Sequence, residues 1–114
     1  MNSISWIRCY VVDLNVTAKF YEDLGFRPGD RTEDSFKVYV NWFSIEFRLK
    51  TEEFDNSSIG SYTGIKVDNA DEYYNFAVSK GIKPTTQVAD YPDKSREFII
   101  TDPDGYKLIF FSKK

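Results

Sequence analysis

The chain has 114 residues, 41% hydrophobic and 29% charged, which is enough for one domain with a real core and ordinary for a globular protein. Its net charge of −3 comes with no basic stripe, so nucleic acid is a poor partner, and no apolar run is long enough to span a bilayer. Histidine is absent, which removes His-dependent triads and every metal site that needs imidazole, and the lone Cys9 excludes an internal disulfide.

The opening MNSISW lacks the charged-then-apolar pattern of an export signal, and with the unpaired thiol this leads to the expectation of a cytoplasmic protein. Residues 4–12 alternate as a strand should, placing Ile7, Cys9 and Val11 on one face and Trp6, Arg8 and Tyr10 on the other. Asp13 or Asn15 can cap a helix over Val16–Leu24, with Val16, Phe20 and Leu24 as its apolar stripe. Gly25 ends the helix and Pro28 prevents it resuming. Three strands follow, near Arg27–Arg31, Phe36–Trp42 and Ser44–Leu49, and then a polar connection over residues 51–61.

The same order then begins again. Tyr62–Val67 reads as a strand, Asp68 or Asn69 as a cap, and Ala70, Tyr73, Tyr74 and Ala77 as a helical stripe closed by Gly81 and Pro84. The segments VDLNVTAKFYEDLGFRP and VDNADEYYNFAVSKGIKP share their opening Val-Asp and their closing Gly, apolar, basic, Pro. Strand-like runs near Lys83–Ala89, Arg96–Thr101 and Tyr106–Phe111 complete the second copy. Between the last two, Asp102-Pro103-Asp104-Gly105 has the residues of a type I turn, so a β-hairpin is expected. The fold class expected is α+β: two tandem βαβββ modules, residues 4–50 and 62–112, in one domain spanning 1–114, with curved mixed sheets around a cleft.

FYEDLGFRP, VDNADE with GIKP, and REF followed by DPDGYKLIFF resemble the vicinal oxygen chelate superfamily, the group of glyoxalase I, extradiol dioxygenases and bleomycin resistance proteins. The resemblance runs from about Ile4 to Phe111 and implies the fold more strongly than the chemistry. It also implies four metal-ligand positions, which here carry Trp6, Glu46, Tyr62 and Ile109. A single carboxylate cannot hold a transition metal against water, so the expectation is a metal-free member near the bleomycin-resistance type, a class linked to antibiotic resistance. Such a protein would bind an aromatic or cationic drug-like molecule, act as a homodimer and need no cofactor.

The resemblance places Trp6, Arg8, Tyr10, Glu46, Arg48, Tyr62 and Ile109 along the ligand site, with Trp42 and Phe98 as further aromatic candidates. Glu46 pairs with Arg8 or Arg48 on one reading and is a general base on the other. No nucleophile–base pair, phosphate loop or cofactor motif accompanies it, so a non-catalytic binding protein is preferred to a lyase-like or metal-dependent enzyme.

Overall fold

Asp13 and Asn69 decide where the two helices of the chain begin. In the computed structural model, which describes residues 5–40, 43–50, 62–91 and 95–113, the Asp13 carboxylate accepts from the Asn15 and Val16 backbone N–H groups, and the Asn69 side chain accepts from that of Glu72. Helix α1 (Leu14–Asp23) and helix α2 (Ala70–Ser79) follow those caps. Both stop before a glycine with positive φ, Gly25 at 90° and Gly81 at 81°.

The chain divides into two compact units, Met1–Ser57 and Ser58–Lys114. In the first, strands β1 (Ser5–Val11), β2 (Arg27–Arg31), β3 (Ser35–Val40) and β4 (Phe43–Leu49) form a sheet of order β1-β4-β3-β2. In the second, β5 (Tyr62–Lys66), β6 (Ala89–Asp90), β7 (Ser95–Thr101) and β8 (Lys107–Lys113) form the order β5-β8-β7-β6. The opening strand of each unit runs parallel to its last strand, and the other pairs are antiparallel. Each unit is therefore a βαβββ module with a mixed sheet. Among the described residues, no helix is long and apolar enough to cross a membrane.

Alternation sorts each sheet into a helix-packed and a helix-free face. In the first module Cys9, Val11, Phe36, Val38, Ile45 and Phe47 are buried on the helix side. There Tyr21 of α1 meets Phe47 at 4.6 Å between ring centroids. The buried stripe of α1 is Leu14, Thr17, Ala18 and Tyr21, with Leu24 just beyond its end. This corrects the stripe expected from Val16 and Phe20. The helix starts two residues earlier than expected and Val16 is 51% exposed, because the Asp13 cap sets its phase.

In the second module Ile65, Phe98, Ile100, Leu108 and Phe110 are buried beneath α2. Tyr73 lies 4.6 Å from Phe110, and Tyr74 meets Phe98 edge-on at 5.3 Å, so both tyrosines pack on the sheet from adjacent helix positions. Burial pushes the Tyr73 phenol well above its ordinary range. Arg96 ties strand to helix, its Nε and Nη2 donating to the Asp71 carboxylate and its Nη1 to Asp90.

The strand expected near Lys83–Ala89 shortens to Ala89–Asp90. Thr85 and Thr86 both donate their backbone N–H groups to the Ile99 carbonyl, and the Thr86 hydroxyl accepts from Ile99 N. That irregular pairing satisfies the segment without a ladder. The turn between β7 and β8 is the expected one. Gly105 N bonds to Asp102 O at 3.0 Å with Gly105 at φ 95°, and Asp102 Oδ1 accepts from Asp104 N and Tyr106 N.

Candidate functional site

The helix-free face of the first sheet is built in three rows by the strand register. Trp6, Ser44 and Tyr39 form one row, Arg8, Glu46 and Lys37 the middle one, and Tyr10, Arg48 and Ser35 the third. Arg27 extends the first row beside Tyr39. Glu46 sits at the centre, only 8% exposed, while Trp6 is 51% exposed.

Two guanidinium groups converge on one oxygen of Glu46. Arg8 Nε donates to Oε1 at 2.6 Å and Arg48 Nε donates to the same atom at 2.9 Å. Burial alone would raise the Glu46 carboxyl, but the bonds from Arg48 and Arg8 outweigh it and hold the group below its ordinary range. Arg8 is held further into its charged form by Glu46 first and by Tyr10 second. Glu46 is thus an ionised structural anion between two cations.

This geometry gives stability a sign with pH. The folded-state pKa lies below the ordinary value of 4.5, so the stabilisation is complete above that value and is lost as pH falls through the lowered one. The stability advantage of the wild type over Glu46→Gln should therefore be constant near neutral pH and shrink as pH falls below the ordinary carboxylate value of 4.5. Urea denaturation across that window measures it, and a constant gap would count against an ion-paired carboxylate.

Two aromatic rings of this face, Trp6 and Tyr39, already have cations on them. The Arg8 guanidinium carbon lies 5.1 Å from the Trp6 ring centroid and that of Arg27 lies 5.2 Å from the Tyr39 ring. Tyr39 also rests against Gly29, where a Cβ would fall 2.5 Å from its Cε2. The alternation of Phe36, Val38 and Val40 carried the signal for Lys37 and Tyr39, which the sequence reading did not place on this face.

Tyr62 and Ile109 share the helix-free face of the second sheet, together with Gly64, Lys66 and Phe111. Phe98 does not. It is 0% exposed on the opposite face, stacked on Phe110, and its expected role in ligand contact is corrected to core packing. Trp42 lies outside the described residues. Elsewhere in the second module, a groove of about 520 Å³ runs between the end of α2 and residues 81–87, bordered by Tyr74, Val78 and Ile82. It holds no cluster of charged groups comparable to the one around Glu46.

A model of the Glyoxalase/Bleomycin resistance protein/Dioxygenase superfamily matches residues 3–110. The chain belongs to this superfamily. Among solved structures of the superfamily, a glyoxalase/bleomycin resistance protein/dioxygenase from Alicyclobacillus acidocaldarius is similar with a TM-score of 0.80 at 20% identity, covering 98% of this chain and 92% of that one. A family enzyme from Burkholderia phytofirmans PsJN gives 0.83 at 14% identity, covering 97% and 98%. The structure of a lactoylglutathione lyase from Agrobacterium tumefaciens gives 0.78 at 16%, covering 98% and 94%. At these identities the likeness speaks to the fold. No curated protein matches the chain.

The four positions at which the superfamily resemblance implies metal ligands do not fit a metal here. An indole and a sec-butyl side chain, Trp6 and Ile109, offer no donor, Tyr62 offers a phenol, and Glu46 is engaged by two arginines. Among the described residues, no group of three or more Cys, Asp or Glu side chains is placed to hold an ion.

Proposed function

We propose that this superfamily member binds a small planar aromatic molecule on the helix-free face of its first sheet, without a metal and without transforming the ligand. The observation that carries the proposal is the state of Glu46. A general base needs a carboxyl raised toward neutral pH, whereas the arginine pair holds this one down. A transition metal needs three or four donors in fixed geometry, and a single carboxylate with one oxygen already accepting from both arginines cannot supply them. What the face does offer is an exposed indole, a phenol at Tyr10 and fixed charges, the composition of a recognition surface.

Quenching of tryptophan fluorescence by a panel of planar aromatic compounds tests this reading. A hit should be recovered chemically unchanged, and Trp6→Ala should weaken it about ten-fold, as expected for one desolvated aromatic contact. Equal affinity in wild type, Trp6→Ala and Tyr10→Ala would move the site off this face. Elemental analysis of the purified protein should find no stoichiometric transition metal after dialysis, and one retained equivalent per chain would overturn the metal-free part. Self-association belongs to the same proposal, because edge strand β1 leaves Ile7 exposed on the face of the sheet opposite Trp6. Sedimentation showing only a 13.3 kDa species at micromolar concentration would count against it.

A further inference from the structure

Resting on that binding role, we infer that the ligand is an anion, a planar aromatic carboxylate whose acid group meets Arg8 and Arg48 and whose ring lies on Trp6. The sign of the ligand turns on whether Arg8 and Arg48 neutralise Glu46. Both do, through the same oxygen. One carboxylate cannot balance two guanidinium groups, and its neighbour in the row on the other side is Lys37. Arg27 adds a further cation beside Tyr39. The face is therefore cationic in a chain whose net charge is −3.

A cationic ligand finds the rings of Trp6 and Tyr39 engaged. The attraction of Trp6 and Tyr39 for positive charge is already taken by Arg8 and Arg27, so an incoming ammonium would meet like charge at each ring. Glu46 offers no compensating anion, since burial and the two arginines enclose it. A carboxylate meets the opposite situation. Arg48 gives Nε to Glu46, and a guanidinium carries five N–H donors in a planar fork that suits a second carboxylate. Glu46 thereby acts as a positioning residue, clamping both forks by their Nε atoms so that little side-chain freedom remains to be lost on binding. Tyr39 is pressed onto Gly29. That leaves the half-exposed indole of Trp6 as the stacking surface.

Three probes with one ring system separate charge from shape: naphthoate, naphthamide and aminomethylnaphthalene, titrated into the wild-type protein by calorimetry at low salt. Naphthoate should bind at least about ten-fold tighter than the amide, the amine should bind weakest, and added salt should weaken naphthoate selectively. Arg48→Gln should abolish the preference, and Glu46→Gln should tighten naphthoate if circular dichroism shows the fold intact. The order of the three wild-type affinities decides the matter without either variant. Equal binding of all three, or tighter binding of the amine, overturns the anion assignment and leaves the binding role standing. Binding of none overturns both. Naphthoate affinity that falls as protein concentration rises would give the face to a second copy of the chain and overturn the assignment as well.

Discussion

Phe98→Ala should destabilise the protein by about 3–5 kcal/mol, the usual cost of truncating a fully buried aromatic side chain. Phe98 is 0% exposed and lies in a four-ring cluster. It stacks on Phe110 at 5.5 Å, meets Tyr74 edge-on at 5.3 Å and has Tyr73 at 6.4 Å. These rings join α2 to β7 and β8, so the cavity left by alanine would sit at the main attachment of the helix to its sheet. Chemical denaturation measures the loss. A loss below about 1 kcal/mol would mean that the cluster collapses into the space without penalty, contrary to its close packing. Conservative replacement by leucine should recover much of the stability.

Asp102→Ala should be the next most damaging change, at about 2–3 kcal/mol. Asp102 is 4% exposed, and its Oδ1 accepts from both Asp104 N and Tyr106 N while its own backbone closes the turn with Gly105 and Tyr106. Alanine removes the acceptor and leaves two backbone donors short of partners, each costing about 1–3 kcal/mol where water cannot replace it. Asp102→Asn keeps a carbonyl oxygen in the same place and should recover most of the loss in thermal melts. Equal damage from both replacements would assign the effect to charge rather than to the accepted bonds.

The module architecture was legible because helix punctuation is local chemistry. Asp13, Gly25, Asn69 and Gly81 act within a turn of where they stand, so the repeated Val-Asp and Gly-x-basic-Pro signals located both helices. Phase and face were harder. Val16 looked like core until the cap fixed the helix start, and Phe98 looked like a site residue because the apolar run Phe98, Ile99, Ile100 fills both phases of the strand and leaves its core face unmarked. Adjacent charges on β7 serve opposite faces: Arg96 reaches to Asp71 on the helix side while Glu97 points the other way, in register with Phe111. The shared oxygen of Glu46 was beyond sequence reading altogether. Alternation can put Arg8 and Arg48 beside Glu46, but only the register that aligns all three in adjacent positions makes them compete for one atom.

The parallel pairing of first and last strands has a consequence for how the chain is made. β1 leaves the ribosome before the other strands of its module, yet its ladder partner β4 lies 38 residues further on, measured from Arg8 to Glu46. In the second module β5 waits in the same way for β8. Each last strand is also the one flanked on both sides, β4 by β1 and β3, β8 by β5 and β7. A nascent module has a helix and three strands in hand while its sheet still lacks the strand that joins them. Antiparallel neighbours close over short loops, whereas the parallel ladder must first pay a longer loop closure, so the opening strand docks late. A message cut short before Lys107 would leave β5 and β7 without the strand between them, and the second module would be lost as a whole rather than trimmed at its end.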